Sequence, residues 1–123
     1  MTVFLLALAG GVGAAVRFIV DGLIRARVKT ALPWGTILIN VTGSLVLGFL
    51  AGLVMRGQAP ESLLLIVGTG FLGGYTTFST ASLETIRLVQ SGRTRVALVN
   101  GLGTMAASVL AAAGGVWTAA LLP

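Results

Sequence analysis

The residues best able to do chemistry cluster in one stretch, GFLGGYTTFST, from Gly70 to Thr80, inside an otherwise apolar segment. It holds adjacent glycines, Gly73 and Gly74, and four serine and threonine hydroxyls, Thr76, Thr77, Ser79 and Thr80. Adjacent glycines are poor helix formers and hydroxyls compete for backbone groups, so the spacing predicts an interruption near Gly73 to Thr76. Non-helical backbone at membrane depth is tolerated only where it is buried in protein or lines a polar cavity. Carbonyls freed in this way commonly coordinate a cation such as Na⁺ without any charged side chain.

Two further segments carry polar side chains at depth. Asn40 has Thr36 one turn before it and Ser44 one turn after, while Asn100, Thr104 and Ser108 recur every fourth residue on one helical face. A single hydroxyl in such a helix is usually satisfied by its own i−4 carbonyl. An asparagine amide is not, so Asn40 is expected to face a partner, water or a permeating ion. The track supplies amide and hydroxyl donors and the positive ring edge of Phe78, and no acidic residue lies at mid-span. Neutral donors of this kind suit a small anion, held weakly enough to move on, and Arg17 is placed to attract one to a mouth.

The elements that position these groups must be membrane spans. Of 123 residues, 56% are hydrophobic and 9% charged, and the mean hydropathy of +1.04 lies outside the range of soluble domains. A bilayer core of about 30 Å needs about 20 apolar residues per helix, leaving room for four spans and no second domain. The apolar runs are Val3 to Ile24, Trp34 to Met55, Ser62 to Val89 and Val96 to Leu122, joined by RARVKTALP, RGQAPE and QSGRTR. The N-terminal stretch lacks a basic leader and a cleavage site and reads as a retained first span. Small residues at helical spacing (Gly10, Gly13 and Ala14; Ser44, Gly48 and Gly52; Gly101 and Gly103) suit close backbone approach between helices.

Arg17, Arg25, Arg27, Lys29, Arg87, Arg93 and Arg95 fall at one membrane face and Arg56 alone at the other. Their positions explain the net charge of +5 by membrane orientation rather than by nucleic acid, and they predict both termini outside. Without cysteine or histidine, thiolate chemistry and the usual neutral-pH proton carrier are excluded, and no nucleophile and base pair suggests an enzyme.

GGVGAAVRF, PWGTILINVTGSLVLGF and GFLGGYTTFSTASLE, in order and at matching spacing, resemble the Fluc (CrcB) family of bacterial fluoride channels. The resemblance implies an all-α membrane protein of the cell membrane: four transmembrane helices with the third broken, in an antiparallel dimer, passively exporting fluoride. It implies two fluoride pores at the interface and a central structural Na⁺ held by the backbone carbonyls of Gly73 and Thr76 from both subunits. Asn40 would donate its amide to fluoride and Phe78 its ring edge, with Ser79 and Thr80 presented to the pores and Thr104 and Ser108 at the fourth-helix hydroxyl positions. Arg17 is assigned to structure or vestibule, and Asn100 to a mouth position that varies in type.

Two features depart from the family pattern. Ala81 stands where a second phenylalanine is usual, which counts against a conducting homodimer of this chain alone. The basic bias favours one orientation, which implies a heterodimer with an oppositely oriented paralogue as the alternative to a homodimer. A non-conducting partner subunit is the runner-up reading. A small multidrug transporter shares the architecture but needs a carboxylate in the middle of the first span, where this chain has none.

Overall fold

The computed structural model describes residues 1–123 as an all-helical chain. Its helices are α1 (Thr2–Arg27), α2 (Trp34–Met55), α3 (61–75), α4 (Phe78–Gln90) and α5 (Thr94–Ala120). With α3 and α4 taken together as Glu61–Gln90, four helical segments are long and apolar enough to cross a membrane. The first runs past the expected end at Ile24, because Arg25 and Arg27 occupy its last turn, where the helix dipole favours cations. Tight turns follow α2 and α4 at Gly57 and Gly92, whose φ values of 69° and 80° lie in the left-handed region that glycine tolerates.

Helices that follow one another in sequence are not the closest neighbours. The tightest interfaces pair α2 with α5 and α1 with α3. At the first, a Cβ on Gly48 would strike the Ala112 carbonyl and one on Gly115 the Leu45 carbonyl. At the second, a Cβ on Gly13 would meet the Phe71 carbonyl and one on Gly74 the Gly10 carbonyl. Such contacts put backbone against backbone, the packing that holds membrane helices together where lipid offers no hydrophobic drive.

Two stretches are wound more widely, with π-helical geometry: Leu64–Leu72 in α3 and Val99–Gly103 in α5. Insertions of this kind often mark functional sites. Beyond α3 the backbone is extended at Thr76 (φ −79°, ψ 159°) and Thr77 (φ −149°, ψ 123°), and α4 begins at Phe78. Of the stretch Gly73 to Thr76 where an interruption is expected, Gly73 and Gly74 are helical and Thr76 is extended, together with Thr77 beyond it. Only 15 of 123 residues are buried, and none of them lies in α4, so this helix relies on something other than a packed core for its position.

Candidate ion pathway

The extended pair exposes peptide groups that a helix would have satisfied, and side chains from α1 and α2 meet them. Asn40 on α2 donates from Nδ2 to the Thr77 carbonyl (2.8 Å), and its Oδ1 accepts from the Thr77 N–H (2.8 Å). The amide thus pairs with the Thr77 peptide as a neighbouring β-strand would, and one Nδ2 hydrogen remains unused. Arg17 on α1 donates from Nη1 to the Thr76 carbonyl (3.1 Å). The Thr77 hydroxyl caps α4, accepting from the Thr80 N–H (3.2 Å), and lies within hydrogen-bond reach of the Thr80 (3.1 Å) and Ser79 (3.4 Å) hydroxyls.

This arrangement changes the state of two carbonyls. The Thr77 N–H that a continuing helix would donate to the Gly73 carbonyl goes to Asn40 instead, and the Thr76 carbonyl sits on extended backbone. Both residues line the same open groove, and no atom crowds the Cβ side of Gly73.

The groove has a volume of about 840 Å³ and is walled by α2, α3, α4 and α5. Its lining contains no ionisable side chain. The hydroxyls differ in how they are satisfied, and Thr76, Thr77 and Thr85 are bonded within the chain although they too line the groove. Thr42, Thr76, Thr85 and Thr118 donate to carbonyls three or four residues back, at 2.6 to 2.9 Å. Ser44, Thr69, Ser82, Thr104 and Ser108 form none of the chain's side-chain hydrogen bonds, and all five line the groove. Phe78 stands on the wall, 88% exposed as a residue, and Ala81 lies on the same wall.

The structure therefore brings Asn40, Phe78, Thr104, Ser108, Gly73 and Thr76 to one groove. Ser79 and Thr80 are not in its wall; they turn back to Thr77, which an N-cap threonine ahead of Phe78-Ser79-Thr80 could have signalled. Arg17 reaches the extended segment from α1, outside the groove lining. Asn100 also lines the groove, but it is 3% exposed and donates to the Thr85 hydroxyl (2.9 Å), tying α5 to α4. Thr85, absent from the expected site, in turn donates to the Ala81 carbonyl.

Near the loop-facing end of α1, Arg25 bridges two carboxylates, Asp21 (2.8 Å) and Glu84 of α4 (2.7 Å), and Glu84 also accepts from the Thr36 hydroxyl (3.1 Å). Both acids are thus engaged with an arginine at a span end rather than free at mid-membrane.

Residues 4–116 match the family model described as CrcB-like protein, Camphor Resistance (CrcB). The chain is 46% identical to the fluoride-specific ion channel FluC 1 of Leifsonia xyli subsp. xyli, over 98% of this chain and 88% of that one. It is 45% identical to FluC 1 of Streptomyces avermitilis, covering 97% of each. FluC 2 of Mycobacterium tuberculosis is 43% identical over 91% of this chain and 86% of its own length. With a family model spanning nearly all of its helices and relatives this similar over almost their whole length, the chain belongs to the CrcB-like family.

Proposed function

We propose that this chain is a subunit of a passive fluoride channel in the cell membrane, through which fluoride leaves the cytoplasm down its gradient. The observation that carries the reading is the groove: five hydroxyls without internal partners, an asparagine with one amide hydrogen to spare, and no ionisable group in the lining. Unused neutral donors can replace the water around a small anion without trapping it. The names of the relatives, fluoride-specific ion channels, identify that anion. Neither an enzyme nor a proton-coupled transporter fits, since Asp21 and Glu84 are both bound to Arg25.

The functional unit is an antiparallel dimer. The groove is far larger than one fluoride and opens beside a nearly bare phenylalanine, which suits closure by a second subunit. In that assembly the third helix is broken at Thr76–Thr77, Phe78 offers its ring edge to the ion, and Asn40, Thr104 and Ser108 continue the path. Ser79 and Thr80 hold the break through Thr77. Gly73 and Thr76 supply carbonyls to a structural Na⁺; two oxygens are too few for a hard cation, so the partner supplies the others. Arg17 keeps the Thr76 carbonyl oriented, and Asn100 braces α5 against α4.

The runner-up, a non-conducting subunit within a heterodimer, is favoured by one observation: Ala81 leaves only a methyl group on the groove wall. The one-sided basic residues fit the same partner, an oppositely oriented paralogue, and relatives named both FluC 1 and FluC 2 match this chain. Fluoride efflux from liposomes containing this chain alone, with chloride efflux as control, tests both readings. Fluoride release without chloride release is expected for the self-sufficient channel. Equal release of both anions overturns fluoride selectivity, and silence from folded dimers assigns conduction to the heterodimer.

A further inference from the structure

We infer that Arg25, on α1 and outside the groove, is a positioning residue that sets the place of α4 and, through it, the orientation of Phe78. The inference rests on the reading of Phe78 as a pathway residue. Helix α4 buries none of its residues and has no extended packing against α1. Polar links hold it instead: Asn40 to Thr77 at its start, Asn100 to Thr85 midway, and Arg25 and Thr36 to Glu84 on the face away from the groove. Among these, Arg25 to Glu84 is the link from α1.

The burial of the partners gives this link its leverage. The Glu84 side chain is 12% exposed while that of Arg25 is 57% exposed, so the carboxylate depends on Arg25 for a counter-charge more than the reverse. The second oxygen of Glu84, Oε2, is buried without a partner, as is Oδ1 of Asp21. Removing the guanidinium leaves two neighbouring carboxylates in a poorly hydrated place, where like charges repel and unpaired ions are costly. The helix that can yield is the one without a packed core. Because Phe78 is the first residue of α4, any rotation or shift of that helix moves the ring directly.

The test uses the full chain in lipid, with 4-fluorophenylalanine at position 78 read by ¹⁹F NMR in fluoride-free buffer and efflux measured separately. Arg25→Gln is expected to shift or broaden the resonance and slow fluoride efflux, and Arg25→Lys to restore both. The double variant Arg25→Gln with Glu84→Gln removes the stray charge and guards against misfolding; it should still lack the native resonance because the link is gone. Lys29→Gln removes an exposed, unpaired cation from the same membrane face and should leave the resonance unchanged. An unchanged resonance in Arg25→Gln overturns the inference, as does a native resonance in the double variant. A shifted resonance with normal efflux keeps Arg25 as the positioning group and overturns the pathway role of Phe78 instead.

Discussion

The α2–α5 interface and the Thr76–Thr77 segment hold this chain together by opposite means. Between α2 and α5, glycines bring backbones into direct contact, with the Ala112 carbonyl against Gly48 and the Leu45 carbonyl against Gly115. At Thr76–Thr77 the backbone has left the helix, and Asn40, Arg17 and the Thr77 hydroxyl satisfy what the helix no longer does. The first region tolerates no added atom. The second depends on each donor and acceptor that reaches it. A membrane protein can therefore keep a rigid half made of shape and an open half made of polar contacts, and the open half is where an ion can be admitted.

The contrast breaks most completely at Gly48. Gly48→Leu would drive a side chain into the Ala112 backbone, and overpacking of this severity costs about 3 kcal/mol or more; loss of monodisperse protein on size exclusion is the expected result. Asn40→Ala comes next, because it strands both the N–H and the carbonyl of Thr77. Thermal unfolding should report a loss of about 3 kcal/mol and efflux should stop, whereas Asn40→Asp should recover only the contact to the N–H. Thr77→Val removes the cap of α4 and should cost about 1 kcal/mol by the same measurement. The smallest stability effect belongs to Ser108→Ala, whose hydroxyl has no partner in the chain. Unfolding should change by less than about 0.5 kcal/mol while fluoride efflux slows, and equal slowing with a large loss of stability would blur the division between the two kinds of region.

The four spans were legible because apolar run length is dictated by the bilayer, and the glycines of α2 because their four-residue spacing on one face has few other uses. The groove was partly legible, since Asn40, Thr104 and Ser108 are polar where lipid would forbid it. The position of the extended residues was legible only to within a few residues. Local propensity pointed to Gly73 to Thr76, and the chain leaves the helix at its far end, where Asn40, thirty-seven residues earlier, can take over the Thr77 peptide. The same limit hid the partner of Asn100, Thr85 on the facing helix, and the π-helical turns, which carry no side-chain signature.

The pairing of α2 with α5 also has a consequence for synthesis. A ribosome makes the chain in order, so α2 enters the membrane and waits through the whole Glu61–Gln90 span before its closest partner exists. During that interval the small-residue face of α2 is an unfilled slot, available to any neighbouring helix or to surveillance proteases. A product truncated before α5 would carry the same open slot permanently, so α5 is the element that closes the exposed face of α2.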